Sequence, residues 1–598
     1  MRHCLKNILS AGILMCMVAA CEDLKFGDAF LDKPLSVEIN IDTIFSSKIH
    51  SEQALNQFYK SLPDFMPTAS SGCRPEGRVL DLYSDLGYSG EIPWKSGVVN
   101  ASTGKGALPY NLFANSEIMG DPFFGIRKAY IYLENIDRVP DMTEDEKNIR
   151  KAEAKVVIAT HYIQMIRFLG GVPWIDHAYK PDETFLFPRM TLEETVRKTI
   201  ALLDEAAAIL PWYTSEEEYG HMTAAAAKAL KLRLLLFVAS PLFNASEPYF
   251  SGQAADERLT WYGDYSEQRW RDALDAGLEF LRLNKQNSNY YQMENTGNPR
   301  ADFRTGYFVK GNREVVMPTF RDGTWNKSRK FFRIYGQRNK PRASYANMFQ
   351  WIDGTDFSWE QVNDPDPNNE HYNQPFFNKE GKTVRDIRLY ETLMVNGDSW
   401  TPPENLQMWN GGKHGPTKYD QRTLYGYGYR KFIQDYNSNG TMVYGYPYSC
   451  PWIRMPEIYL SVAEAMNQLG IATQKDEFDC TAYDYLNMIR RRAGITKDVT
   501  AEMVTAGTAL TEFLLDERAR EFGQEDCRYY DMVRYKKGND WVTIPLEKLL
   551  ITGNKNKQNY ATEISDEEFY YWKEHWYLFP FPVTEINKRY GLIQNPGY

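Results

Sequence analysis

Tryptophan and tyrosine standing beside asparagine or arginine in irregular, glycine-rich stretches are the residues of this chain whose types suit one particular chemistry. A pyranose ring presents a face of C–H bonds that packs on a flat aromatic, and its hydroxyls take hydrogen bonds from planar polar side chains. Three stretches carry that combination. The first runs from Arg78 to Asn100 and holds Tyr83, Tyr88 and Trp94. The second follows the short apolar run Val315-Val316-Met317 and holds Arg321, Trp325 and Asn326. The third holds Trp351, Trp359, Trp400 and Trp409, with Tyr425, Tyr427 and Tyr429 further on. The chain has 40 Tyr, 31 Phe and 14 Trp, more than core filling demands, so some of this set is expected at the surface. The rest packs inside, because Trp and Tyr are buried on average.

Hydrolytic and redox chemistry find no comparable constellation. Glycoside hydrolysis needs two positioned carboxylates, and among 79 acidic residues close pairs such as Asp353 and Asp356 arise by chance. The histidines form no His-Glu-x-x-His, and there is no Gly-x-Ser-x-Gly elbow, Walker loop or dinucleotide fingerprint. No catalytic residue, metal or cofactor is therefore assigned. Asp364-Pro365-Asp366-Pro367-Asn368 has the oxygen spacing of a calcium loop, but Asn369 and Pro375 stand where that loop needs Gly and Glu, which predicts a proline-stiffened turn. Glu517, Arg518, Arg520, Glu521 and Arg528 resemble an anion-binding cluster. Charges at helical spacing more often form solvated or helix–helix ion pairs, and that is the expectation here. Arg490, Arg491 and Arg492 end a helix, where cations oppose its dipole.

One thiol has a chemical reading of its own. Arg2 and Lys6 precede an almost wholly apolar run from Ile8 to Val18, and Val18-Ala19-Ala20-Cys21 ends it with small residues and a cysteine. This is the pattern of a lipoprotein export signal, with residues 1–20 removed and Cys21 acylated. The run is too short to span a bilayer of roughly 30 Å as a helix. A lipid-anchored body outside the cytoplasm is expected. Cys73, Cys450, Cys480 and Cys527 would remain, too far apart for a zinc ribbon and even in number, which permits disulfides without requiring them. A net charge of −10 and a mean hydropathy of −0.54 fit a soluble body and argue against nucleic acid as a partner.

The elements that position these stretches are helices. Between Glu146 and Leu169, apolar residues recur at Ile149, Ala152, Val156, Ala159, Ile163 and Ile166, and Gly170-Gly171 with Pro173 stops the run. Thr191-Leu192-Glu193-Glu194 is a capping box for a stripe reaching Leu210 and Pro211. Thr223 caps the next helix, and further stripes follow at Trp270–Leu281, Pro456–Leu469 and Ala482–Ala493. Short connections and small residues on these stripes predict stacked helical hairpins of tetratricopeptide type, although no 34-residue repeat is regular. Between 285 and 450 the periodicity fades, and a loop-rich, aromatic insertion is expected. The chain thus divides at the sequence level into 1–20, 21–284, 285–450 and 451–598.

A set of short segments gives these features a family context. They are Ala29-Phe30-Leu31-Asp32-Lys33-Pro34, Glu153-Ala154-Lys155, Arg167-Phe168-Leu169-Gly170-Gly171-Val172-Pro173, Arg233 with Ala239-Ser240-Pro241-Leu242-Phe243-Asn244, and Asp386-Ile387-Arg388-Leu389 with Asn396-Gly397. Ile453-Arg454-Met455-Pro456-Glu457, Ala463-Glu464-Ala465, Glu517-Arg518-Ala519-Arg520-Glu521-Phe522, Arg528-Tyr529-Tyr530-Asp531, Pro580-Phe581-Pro582 and Gln594-Asn595-Pro596-Gly597-Tyr598 continue the series. In this order they resemble the SusD/RagB outer-membrane glycan-binding lipoproteins of the Bacteroidetes. The resemblance implies a mostly α-helical fold with a tetratricopeptide-like superhelix, oligosaccharide binding without catalysis, and a TonB-dependent SusC-type porin as partner at the cell surface. It also raises Trp94 and Trp325 above the other aromatics, with Arg78, Tyr88, Asn100 and Arg321 beside them. A family member that captures peptides and a lipidated all-helical glycoside hydrolase are the alternatives.

Overall fold

Threonine caps four of the helices that the periodicity marks. The Thr143 hydroxyl accepts from the Glu146 amide at 3.2 Å while the Glu146 carboxylate accepts from the Thr143 amide at 2.8 Å. Thr191 with Glu194 and Thr481 with Asp484 repeat that reciprocal box, and Thr223 accepts from the Ala226 amide. Each cap contributes about 1 kcal/mol by satisfying donors that the first helical turn leaves unpaired.

The computed structural model describes residues 41–63, 80–88, 99–102, 122–180, 182–319, 340–366, 368–401, 404–416, 423, 425–432, 450–565 and 570–598. Its first helices are α1 (Lys48–Tyr59), α2 (Pro122–Asn135), α3 (Glu144–Leu169), α4 (Leu192–Ala207), α5 (Ala224–Ala239) and α6 (Glu267–Gln286). Each packs on the next. α4 stops at Ala207, short of the expected Pro211, although Leu210 still reaches the core. The stretch 285–450 is less irregular than its sequence suggests, for it carries α7 (Pro299–Phe308), α8 (Ala343–Met348), α9 (Trp359–Asn363) and α10 (Ile387–Thr392). They are short, and α10 buries Arg388 and Glu391 along with its apolar residues, so a hydrophobic stripe cannot betray it. The C-terminal part supplies α11 (Met455–Gln468), α12 (Ala482–Arg492), α13 (Thr508–Phe522) and α14 (Cys527–Arg534).

The helical stack skips the insertion. α6 packs on α11, and α11 packs in turn on α12 and α13. Gly277 permits that approach, since a Cβ there would lie 2.5 Å from a Val462 methyl. Strand β2 (Val315–Thr319) pairs antiparallel with β6 (Cys450–Arg454), clamping the two ends of the intervening stretch. Two smaller pairs follow the same logic, β1 (Gly87–Tyr88) with β3 (Lys340–Pro341) and β4 (Leu393–Met394) with β5 (Gly428–Tyr429), while β7 (Glu547–Asn554) and β8 (Lys557–Ile564) form a longer local hairpin. The main apolar cluster runs from Phe45 to Phe581 and takes in residues from every helix of the stack.

Candidate functional site

Described residues bordering the first two aromatic stretches meet at one place. β1 ends at Tyr88, six residues before Trp94, and β3 begins at Lys340, after the stretch that holds Arg321 and Trp325. Tyr88 and Lys340 are register partners in the ladder. Arg342 ties the same point to the C-terminal part, donating to the Gly87 carbonyl and to the Ile544 carbonyl, each at 3.1 Å. Arg78, Trp94, Arg321 and Trp325 themselves lie outside the described residues, as does Cys21.

Tyr88 is not a surface platform. It is 5% exposed, meets Tyr425 edge-on at 5.3 Å and stacks on Tyr570 at 5.9 Å, forming with Leu546 a small core of its own beneath the ladder. The Lys340 and Lys548 ammonium groups lie 5.5 and 5.2 Å from the Tyr425 ring, and the Arg342 guanidinium 5.0 Å from that of Tyr570. Lys340, Arg342 and Tyr570 had no sequence signal, being single residues drawn together from distant segments. Asn100 is exposed, and its side-chain oxygen accepts from the Ser102 amide at 2.9 Å, fixing a turn that Val583 pins through the Ala101 carbonyl.

The third group is a correction to the sequence reading. Trp351 is 1% exposed, its ring stacked on His371 at 3.7 Å and its indole donating to Gln361 at 2.8 Å. Trp409, Tyr425, Tyr427 and Tyr429 are buried too, and Trp359 is half-buried with its indole donating to Asn347. The Trp400 side chain lies outside the described residues. Of these rings, Trp409, Tyr427 and Tyr429 face inward into the main apolar cluster, which also takes in Phe349, Leu389, Leu393 and Val395.

The charged clusters are interior fastenings. Glu517, Arg518, Arg520, Glu521 and Arg528 pair between helices as expected, but they are buried where solvated pairs were an option. Arg388 contacts Asp386, Glu517 and Glu521 at 2.7, 2.8 and 3.2 Å. Arg454 contacts Glu314, Glu521 and Glu525 at 2.6, 3.0 and 2.7 Å. Of the arginines ending α12, Arg490 and Arg492 are buried against Glu517, Glu314 and Glu521, and only Arg491 is at the surface, paired with Asp498. Burial opposes ionisation of Glu521, but Arg492, Arg454 and Arg388 outweigh it and hold the carboxyl at about 2. A group so acidic holds no proton to donate near neutrality. Asp364 and Asp366 accept from backbone amides two residues on, the expected turn. Among the described residues no three His, Cys, Asp or Glu side chains converge as metal ligands, and Cys480 and Cys527 carry free thiols.

Comparison with known proteins gives the architecture its context. Residues 334–598 match the model of the SusD family, and residues 30–236 match a second, described as starch-binding and associating with the outer membrane. The chain belongs to the SusD family. Over 171 residues it is 30% identical to the starch-binding protein SusD of Bacteroides thetaiotaomicron, a stretch that spans 28% of this chain and 25% of that protein. The SusD fold extends much further. A SusD-like protein from Bacteroides fragilis superposes with a TM-score of 0.67 at 21% identity, covering 94% of this chain and 99% of the other. A SusD-like carbohydrate binding protein from the same species gives 0.62 at 18% identity, covering 91% and 99%. Among the described residues no helix is long and apolar enough to cross a membrane.

Proposed function

We propose that the protein binds oligosaccharides at the outer-membrane surface through the stretches carrying Arg78, Trp94, Asn100, Arg321 and Trp325, and passes them to a TonB-dependent SusC-type porin. Lipid on Cys21 tethers it there. The observation that carries the reading is the Tyr88–Lys340 ladder, which sets the last described residue before Trp94 beside the first described residue after Trp325. Aromatic and planar polar groups supplied by both stretches would meet opposite faces and edges of one sugar chain. The names of the relatives support a saccharide as ligand; delivery to a porin rests on family likeness, and the tether on the pattern at residues 1–21. Binding without turnover is the reading that the likeness to carbohydrate-binding relatives supports, and the burial of the densest carboxylate–guanidinium clusters as ion pairs agrees with it.

Calorimetric titration of the signal-free protein with a panel of oligosaccharides, beside co-purification of the porin, tests this. Saccharide binding without release of reducing ends is expected. Released reducing ends would make it a hydrolase, and retention of peptides in place of sugars would change the ligand class.

A further inference from the structure

Tyr213 stands outside the core with 45% of its surface exposed, yet its ring is firmly held. Tyr290 stacks on it with centroids 3.9 Å apart and planes 4° from parallel. Tyr290 meets Tyr291 edge-on at 5.0 Å, and Tyr291, 5% exposed, meets Trp212 edge-on in turn. The Arg313 guanidinium lies 5.1 Å from the Tyr290 centroid.

Local chain geometry builds this ladder of rings. Just beyond the end of α6, Ser288 and Asn289 lie in the left-handed region, at φ 58° and 50°, which turns the backbone sharply so that Tyr290 emerges beside the loop from α4 to α5. The Asn284 side chain locks the turn, accepting from the Tyr291 amide at 3.0 Å and the Trp212 indole at 3.3 Å and donating to the Tyr291 carbonyl at 2.8 Å. A lone surface tyrosine would lose rotamer freedom on binding a ligand; this one has lost it already in folding.

Next to the ladder lies a cleft lined by Thr214, Tyr219, His221, Thr223 and Asn312, with Gly311 at its edge. Its surroundings carry opposite charges, exposed Glu216 and Glu217 on one loop and exposed Lys310 and Arg313 on the other. A flat apolar face one ring wide beside carboxylate and guanidinium groups suits a pyranose, whose C–H face stacks while its hydroxyls reach the charged groups. An apolar peptide side chain would leave those charges unused.

We propose that the Tyr213–Tyr290 ladder is a second saccharide platform, built from segments other than those carrying Trp94 and Trp325, which holds a further pyranose of a long glycan. It rests on the saccharide reading above and adds a second point of attachment, so it acts most on polymers.

Native affinity gels containing soluble starch, xylan, galactomannan or pectin test it. On whichever polymer retards the wild type, Tyr213→Ala is expected to weaken apparent affinity about two- to tenfold while Tyr213→Phe keeps it, since the ring and not the hydroxyl does the stacking. As a measurement independent of any variant, that polymer should protect Tyr213 of the wild type from nitration, read by peptide mass. Retardation of Tyr213→Ala equal to wild type, or an unprotected Tyr213, would overturn this platform and leave the saccharide reading standing. A wild type retarded by none of the four would overturn both.

Discussion

Arg388 and Glu517 face each other at 2.8 Å with no exposed surface on either side chain. The pair joins α10 of the insertion to α13 of the C-terminal part, and Arg490 and Arg520 reach the same carboxylate at 3.2 and 2.8 Å.

Glu517→Ala should therefore destabilise the protein by about 3–5 kcal/mol, because it leaves three guanidinium groups inside without that counter-charge. Urea denaturation measures it. A loss under about 1 kcal/mol would mean that water reaches the cluster.

Acid should act through the same cluster. Glu521 sits at about 2 in the folded chain, and Glu517 is also held below the usual carboxylate range despite burial, by Arg388, Arg520 and Arg490. Both folded-state values lie below the unfolded value of about 4.3. Their stabilisation is thus complete above that value and is lost as pH falls from about 4.3 towards 2. Urea midpoints taken from pH 7 downwards should drop in that window, and Glu521→Gln, lower in stability throughout, should show a shallower fall.

His177 works in the opposite direction. Its Nε2 meets Glu183 and its Nδ1 meets Asp176, both at 2.7 Å, and these hydrogen bonds raise its pKa above the ordinary value. A raised folded-state value means that the contact is fully made below about pH 6.5 and is lost as pH rises through the folded-state value. Hydrogen exchange in residues 175–183 should accelerate across that rise in the wild type. In His177→Gln the rate, once corrected for intrinsic exchange, should not depend on pH; an equal pH response there would remove the histidine from the account.

Trp94→Ala and Trp325→Ala should each weaken oligosaccharide binding about tenfold with an unchanged melting temperature. A core tryptophan would instead lose about 3–5 kcal/mol of folding stability. Calorimetry beside a thermal melt separates the outcomes, and a large fall in melting temperature with binding intact per folded molecule would assign the ring to packing.

Cys21→Ser should leave the fold untouched and release the protein from the membrane fraction, since a hydroxyl does not replace the thiol as lipid acceptor. Retention through salt and carbonate washes would require another anchor.

Helix positions were most legible where two signals coincide, a threonine cap such as Thr143 or Thr191 and an apolar stripe behind it. The stretch 285–450 hid its helices because they are short and their inward side chains include Asp302, Arg388 and Glu391, all buried, and polar residues inside erase the hydrophobic period. The aromatic stretches were ambiguous for a related reason. Tyr88 and Tyr213 look alike in sequence, each tyrosine in an irregular segment, and only the packing of Tyr425 and Tyr570 over one and of Tyr290 against a single face of the other separates core from platform.

Arg454 draws its three carboxylates from strand β2's approach, from α13 and from the turn beyond it, and Arg492 shares two of them. No one of these segments can peel away alone, for each departure strands a charge in the interior on both sides of the break. Drawing the insertion away from the helical stack therefore costs on the order of 3–5 kcal/mol for each buried pair that is broken, which ties the opening of one to the opening of the other.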